Sequence, residues 1–291
     1  MTAETRPRRS VLYMPGSNPR ALEKGRSLPA DGLILDLEDA VSPEAKQEAR
    51  AKIAAALSDG GYGAREILIR VNGLETEWGR DDLIAMATAG AHGILLPKVE
   101  SADTVRKAIA ILDAAGGPSE LAIWCMIETP MGVLRVEEIG AASPRMGGFV
   151  MGTSDLAKDL HCLHTPERLP FMTSLNMAVL VARAYGLAVL DGVHLDLDDD
   201  EGFAASCAQG LALGFDGKTL IHPKTIGQAN DTFGPSAQEV ERSHAIIAAY
   251  EQARADGKGV VVLNGKLVEN LHVENARRIL ALAEQIDALS G

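Results

Sequence analysis

The sequence is poor in cysteine and in positive charge. Only three of its 291 residues are cysteines, and Cys125, Cys162 and Cys207 lie far apart. This spacing excludes a disulfide framework and a zinc ribbon and favours a reducing setting. Asp and Glu number 40 against 28 Lys and Arg, which gives a formal net charge of -12. So acidic a chain repels phosphate backbones and anionic lipid head groups, and we expect neither a nucleic acid nor a membrane surface as a partner.

Membrane and secretion signals are also missing. No apolar stretch approaches the roughly 20 residues that a transmembrane helix needs. The apolar segment that begins at Val11 is too short for the core of a signal peptide and has no small-residue cleavage site. We therefore expect a cytoplasmic protein.

The sequence does contain a regular alternation of short strand-like segments and helical stretches. Pro43 opens a helical stretch over residues 44–57, and Ser101 opens another over residues 102–114. Eight repeats of this alternation predict an α/β fold, a (β/α)8 TIM barrel. The eight strand-like segments are residues 10–13, 32–37, 66–71, 93–99, 121–128, 148–152, 187–193 and 218–222.

The alternative fold is a doubly wound open sheet with a nucleotide site. It requires a glycine-rich phosphate turn after an early strand, and residues 16–19 do not form a G-x-G-x-x-G motif. Gly217-Lys218-Thr219 is similar to the end of a P-loop, but Ala212 stands where that motif needs glycine. The barrel is therefore the better prediction.

More chain follows the last predicted strand than one closing helix uses. A helix is predicted over residues 238–255 and another over 273–289, and between them Asn264-Gly265 indicates a tight hairpin turn. We predict a barrel core over residues 1–235. Residues 236–291 then supply a closing helix and a C-terminal hairpin-plus-helix arm. We expect this arm to pack on a neighbouring subunit of a symmetric homo-oligomer.

Two carboxylates follow adjacent predicted strands. Glu128 ends the fifth strand and Asp155 follows the sixth. In barrel enzymes the reactive groups gather at this end of the strands. Mg2+ is typically held by one or two carboxylates together with water and substrate oxygens, so the pair is a candidate metal site. Alternatively, each carboxylate caps the helix that follows it.

Three basic residues are candidates for binding an anionic substrate. Arg70 ends the third strand, and its forked donors suit a carboxylate or a developing enolate. An ion pair with the acidic residues at 36–39 is the alternative for Arg70. Arg20 and Lys24 lie four residues apart on the first helix and are spaced to receive phosphate groups, unless they simply form a solvated helix face.

Several motifs carry a family resemblance that extends over nearly the whole chain. The chain resembles the citrate lyase β-subunit-like enzymes of the HpcH/HpaI aldolase superfamily, which include the malyl-CoA lyases. Residues 72–73, 76–80 and 268–272 are most similar to the malyl-CoA thioesterase branch of that family. The other matching segments are residues 9–18, 21–24, 36–41, 69–72, 96–100, 128–129, 152–156 and 217–223.

The resemblance implies a metal-dependent barrel that forms a trimer or a multiple of one. It implies that Glu128 and Asp155 bind Mg2+, that Glu128 and Arg70 bind substrate, and that Arg20 and Lys24 help to hold coenzyme A. Mn2+ also accepts oxygen ligands. The implied substrate is a (3S)-malyl-CoA-type thioester. It would be hydrolysed to malate and CoA, cleaved to glyoxylate and acetyl-CoA, or both.

The chain departs from the lyase pattern on its arm. Lyases of the family carry a catalytic Asp there, and the matching position is Glu269. Glutamate is one methylene longer, so its carboxylate must be aimed differently and could position water for hydrolysis. It could instead cap the last helix. Other open alternatives are a lyase for another 3-hydroxyacyl-CoA such as citramalyl-CoA, an aldolase for free 2-oxo acids, and a lyase subunit that needs an acyl-carrier partner.

Overall fold

Eight parallel strands close into a barrel, which confirms the fold prediction. The computed structural model describes residues 6–255, 261–263 and 266–290 of the chain. Each strand pairs with the next along the chain, and the eighth returns to the first. The strands are β1 (Ser10–Pro15), β2 (Gly32–Asp36), β3 (Glu66–Arg70), β4 (Gly93–Leu96), β5 (Ala122–Ile127), β6 (Met146–Met151), β7 (Ala188–Asp191) and β8 (Gly217–Leu220).

Helices surround the barrel and connect its strands. Short 3-10 turns occur at Pro43–Ala45, Leu169–Phe171 and Pro223–Thr225. The α-helices are α1 (Pro19–Gly25), α2 (Lys46–Asp59), α3 (Gly79–Met86), α4 (Ala102–Ala114), α5 (Pro130–Leu134), α6 (Val136–Gly140), α7 (Thr153–Leu160), α8 (Met172–Tyr185), α9 (Asp200–Leu213), α10 (Ile226–Phe233), α11 (Ala237–Ala255) and α12 (Asn270–Ser290). None of the helices in these described ranges is long and apolar enough to cross a membrane.

Helix starts follow local capping chemistry. Ser101 begins α4 as predicted, because its hydroxyl accepts the backbone N–H of Thr104. Pro43 opens a 3-10 turn first, so α2 begins slightly later than predicted. The last helix begins three residues before the predicted start, since the His272 ring accepts the backbone N–H of Glu269 and satisfies the first turn.

The core has two apolar layers. Inside the barrel, alternate strand residues meet at the axis, as the two-residue period of a strand requires. These side chains are Val11, Ile34, Leu68, Leu95, Trp124, Met126, Val150, Ala188 and Leu190. The intervening strand residues point outward and pack under the helices, among them Leu33, Ile69 and Phe149. This apolar interior forms the floor of the open end of the barrel.

The C-terminal arm lies beyond the barrel. Strands β9 (Val261–Leu263) and β10 (Lys266–Val268) pair antiparallel, and α12 packs on α11 with Val273 and Ala276 buried. The predicted turn residues Asn264 and Gly265 lie outside the described residues. The strand pair is nevertheless the one that the hairpin signal predicted.

A buried ion cluster fastens β7 to β8 behind the barrel wall. Asp191 and Lys218 are fully buried, and the Lys218 ammonium lies 2.8 Å from the Asp191 carboxylate. Arg168 contacts the same carboxylate at 2.7 Å. Burial opposes ionisation of Asp191, but the two cations hold its pKa below the usual range. Gly217-Lys218-Thr219 therefore belongs to a strand and not to a phosphate loop.

We expect Asp191→Asn to lower the free energy of unfolding by about 3–5 kcal/mol, because it leaves two buried cations without a counter-charge. Urea unfolding followed by circular dichroism measures this loss. Lys224→Met is the matched control. It removes one partner of the exposed Lys224–Asp200 pair, and we expect a loss of no more than about 1 kcal/mol. Equal losses in the two variants would contradict a special role for the buried cluster.

Candidate functional site

The strand register places charged side chains directly above the apolar floor. Trp124 and Met126 point into the barrel, so Glu128, two residues further on, points to the same axis. Elsewhere in the barrel, Asp36 and Arg70 occupy paired positions at the ends of the adjacent strands β2 and β3. All three side chains are buried. The carboxyl end of the barrel therefore carries a charged ring on an apolar base.

Arg70 is the centre of this ring. Its Nε and Nη2 donate to the two carboxylate oxygens of Asp36 at 2.7 and 2.6 Å. Its Nη1 lies 2.8 Å from Glu38 Oε2 and 3.4 Å from Asp39 Oδ2. The guanidinium carbon is 4.8 Å from the centre of the Tyr13 ring. The ion pair that the sequence left open is thus present, and it holds the guanidinium plane in one orientation.

Lys98 connects the other carboxylates of the rim. Its backbone N–H donates to Glu128 Oε1 at 2.8 Å. Its ammonium lies 3.0 Å from Glu38 Oε1 and 3.5 Å from Asp155 Oδ2. Burial would lower the pKa of Lys98, but the neighbouring carboxylates, Glu38 foremost, raise it well above its usual value. The lysine therefore carries a positive charge in the middle of the acidic rim.

Glu128 is a buried carboxyl group with a raised pKa. Its side chain is 2% exposed, and burial together with the charge of Glu38 raises the pKa of Glu128 to about 7. Among the described residues, its Oε2 has no hydrogen-bond donor. Gly152 provides the space for this carboxylate, since a Cβ at residue 152 would lie 2.3 Å from Glu128 Oε2 and 2.4 Å from Glu128 Cβ. A carboxylate with a free oxygen in this position suits an added cation.

The alternative roles of the two carboxylates as helix caps are not observed. Thr129, and not Glu128, accepts the N–H at the start of α5. Asp155 lies in the first turn of α7, and its carboxylate faces Lys98 and Lys158 instead of a backbone N–H. Both carboxylates are therefore available to a ligand.

The composition of the rim fits a divalent cation. Within the described part of the chain, no three His, Cys, Asp or Glu side chains are arranged to hold a metal ion. Two carboxylates are nevertheless sufficient for Mg2+ when water and substrate oxygens complete its coordination. The rim has more carboxyl groups than cationic groups, because three cations, Arg70, Lys98 and Lys158, face five carboxyl groups: Asp36, Glu38, Asp39, Glu128 and Asp155.

Arg20 and Lys24 lie on α1, the helix that follows β1 at this end of the barrel. Both side chains are exposed, and neither makes a hydrogen bond or ion pair with any residue that the structure describes. Asn18 caps the helix through the backbone N–H groups of residues 20 and 21. Two cations on adjacent turns are therefore free to meet an anionic ligand.

Glu269 does not join the charged ring within the described part of one chain. Its side chain is exposed, and no hydrogen bond or ion pair among the described residues joins its carboxylate to Arg70 or Glu128. At the start of α12, the backbone N–H of Glu269 donates to the His272 ring, and the Glu269 carboxylate takes no part in this hydrogen bond. The side chain is therefore not used as a helix cap.

Comparison with known proteins shows the family of the chain. The family model for HpcH/HpaI aldolase/citrate lyase matches residues 9–223. A (3S)-malyl-CoA thioesterase of Cereibacter sphaeroides is 47% identical over 288 residues, which cover 99% of each chain. The citrate lyase subunit beta of Escherichia coli is 36% identical and covers 97% of this chain and 95% of that one.

The chain belongs to the HpcH/HpaI aldolase/citrate lyase family. It is an enzyme of this family, because the two relatives just described both carry the names of enzymes. Among solved structures of similar fold is the protein CitE of Mycobacterium tuberculosis in complex with magnesium, acetoacetate and coenzyme A. That chain superposes with a TM-score of 0.76 and 26% identity, over 98% of this chain and all of that one.

Three residues of this HpcH/HpaI site were not singled out from the sequence. Tyr13 supports Arg70 from below, Lys98 joins the carboxylates, and Gly152 gives Glu128 its space. The position of Tyr13 and Lys98 near strand ends was a usable signal. The need for glycine at residue 152 depends on how closely β6 approaches β5, which the sequence pattern does not contain.

We expect Gly152→Ala to weaken Mg2+ binding by roughly 10–100-fold, because the added methyl group displaces the Glu128 carboxylate. Isothermal titration calorimetry without substrate measures this affinity. Gly227→Ala is the control, since a Cβ at residue 227 meets nothing within 4 Å. If the two variants bind Mg2+ equally well, Glu128 is not a ligand in the position seen here.

Proposed function

We propose that the protein is a Mg2+-dependent enzyme for (3S)-malyl-CoA-type thioesters. The expected reaction is hydrolysis to malate and CoA, cleavage to glyoxylate and acetyl-CoA, or both. The observation that carries the proposal is the acidic rim, in which Lys98 contacts Glu128 and Asp155 and shares Glu38 with the fixed guanidinium of Arg70. The full-length similarity to a (3S)-malyl-CoA thioesterase supports the choice of substrate.

Each rim residue has a separate task in this proposal. Glu128 and Asp155 would hold the metal ion, and Mn2+ could replace Mg2+ because both accept oxygen ligands. When bound, the ion supplies Lewis-acid polarisation of substrate oxygens. Arg70 would stabilise negative charge that develops on the thioester oxygen. Because Asp36 and Tyr13 already fix its orientation, little reorganisation is needed when that charge appears.

Coenzyme A would lie across α1. Its phosphate groups are the anions that two exposed cations one turn apart would contact, and Arg20 can do so with two parallel hydrogen bonds. In this proposed arrangement, the acyl end of the thioester would extend toward the barrel axis.

Glu269 would act on a neighbouring subunit. The arm around it exposes three apolar side chains, with Val262 65%, Leu267 51% and Leu271 60% accessible. Such side chains would suit contact with another subunit if they form one apolar patch. We propose that residues 236–291 pack on another copy in a trimer or a multiple of one, in the cytoplasm, and bring Glu269 to the partner's rim.

The second candidate is carbon–carbon cleavage without hydrolysis, on malyl-CoA or on another 3-hydroxyacyl-CoA such as citramalyl-CoA. The similarity to a citrate lyase subunit favours it. In that reaction, Glu269 must exchange a proton with the carbon of the acyl group and not with water. Aldol cleavage of free 2-oxo acids remains the alternative if CoA esters are not substrates.

Product analysis with (3S)-malyl-CoA and Mg2+ tests the reaction. We expect free CoA and malate, with Glu269→Gln reducing this hydrolysis at least about tenfold because the amide cannot accept a proton from water. Glyoxylate with acetyl-CoA would instead identify the lyase. The absence of both sets of products would contradict the proposed substrate. Unchanged turnover in Glu269→Gln would contradict the proposed role of Glu269.

We expect Arg20→Ala and Lys24→Ala each to raise KM for the CoA ester about 5–50-fold with little change in kcat, since they bind a part of the substrate that does not react. Steady-state kinetics measures the split. Lys107→Ala on α4 is the control for loss of an exposed cation. If KM is the same in all three variants, coenzyme A lies elsewhere.

A further inference from the structure

Lys98 has a backbone conformation that lysine rarely adopts. Its φ is +48°, in the left-handed region, and only two other non-glycine residues in the described ranges, His161 and Arg168, share a positive φ. Such a conformation costs free energy and persists only when the surrounding contacts require it. Lys98 directly follows Pro97 at the end of the β4 segment, within the acidic rim.

The unusual backbone gives Lys98 two different contacts with the proposed metal ligands. The chain turns its N–H to Glu128 Oε1 at 2.8 Å and thereby fixes one ligand. The Lys98 ammonium lies 3.5 Å from the carboxylate of the other proposed ligand, Asp155, and 3.0 Å from that of Glu38. The Lys98 side chain is about one third exposed, so its charge is only partly screened by water.

These two contacts act on a bound cation in opposite ways. Aiming the Glu128 carboxylate favours a cation, because a preorganised ligand need not be ordered on binding. The ammonium opposes it, because it competes for Asp155 and repels a second positive charge at close range. Lys158 also faces Asp155, at 3.9 Å, but its side chain is 74% exposed and its charge is well screened.

We propose that Lys98 sets the affinity of the site for its divalent cation, with its backbone ordering Glu128 and its ammonium weakening the hold of Asp155. This inference rests on the proposed function, since it concerns the same metal site. Its consequence is a cation that stays firmly bound only when a substrate supplies further oxygen ligands. The site would then load and release the ion together with substrate.

Four substitutions of Lys98 separate the two contributions. Lys98→Gly keeps the left-handed backbone and the N–H to Glu128 while removing the ammonium. Lys98→Met removes the charge at similar side-chain length, and Lys98→Arg retains the charge. Lys98→Val removes the charge but cannot hold the left-handed backbone, because its side chain is β-branched.

Mg2+ affinity without substrate is measured by isothermal titration calorimetry, with Mn2+ binding followed by electron paramagnetic resonance as a second readout. We expect Lys98→Gly and Lys98→Met to bind at least about tenfold more tightly than the wild type, and Lys98→Arg to stay within about threefold. Lys98→Val should bind more weakly than Lys98→Gly. Thermal unfolding shows whether each variant is folded.

A purely structural lysine would give the opposite sign, because its removal would disorder the carboxylates and weaken metal binding. Equal or weaker binding by folded Lys98→Gly and Lys98→Met, with clear binding by the wild type, would overturn this inference and leave the proposed function standing. A wild-type protein that binds neither Mg2+ nor Mn2+ would overturn both.

Discussion

The bidentate ion pair between Arg70 and Asp36 is the interaction on which the rest of the rim depends. Asp36 and Arg70 are register partners on β2 and β3, so this ion pair forms only when the two strands are in the observed register. Both groups are buried, and either charge alone would be costly at the end of an apolar barrel. The remaining donor of Arg70 then attracts Glu38, and Glu38 in turn holds Lys98.

These contacts fix the arrangement of charged groups at the open end of the barrel. The apolar floor keeps the charges above it at the open end, and it limits their screening by water. Arg70 pairs with Asp36 at the end of β2 and with Glu38 and Asp39 just beyond it, whereas Glu128 has one oxygen without a donor among the described residues and a raised pKa. The rim therefore combines a fixed cation for developing negative charge with carboxylates that can accept a metal ion. Fixed cations and bound metal ions are both means by which enzymes stabilise enolates or oxyanions.

Much of the fold and part of the site could be predicted from the sequence. The eight strands were predicted because each is a short β-rich run bounded by turn signals, and the placement of Asp36, Arg70 and Glu128 at one rim follows from strand ends alone. The left-handed backbone of Lys98 could not be predicted, because the contacts that accompany it, with Glu128 and Glu38, join segments that are distant in the sequence. The surroundings of the Glu269 carboxylate could not be predicted for a different reason, because its proposed target lies on another subunit.

In the proposed site, Glu128 and Asp155 bind a divalent cation at the rim around Arg70. Crystals of the protein grown with Mn2+ test this most directly, because anomalous scattering locates the ion without assumptions about chemistry. We expect an anomalous peak between the carboxylates of Glu128 and Asp155, with Arg70 still paired to Asp36. A peak at any other site, or none at saturating Mn2+, would contradict the assignment of these two carboxylates as ligands.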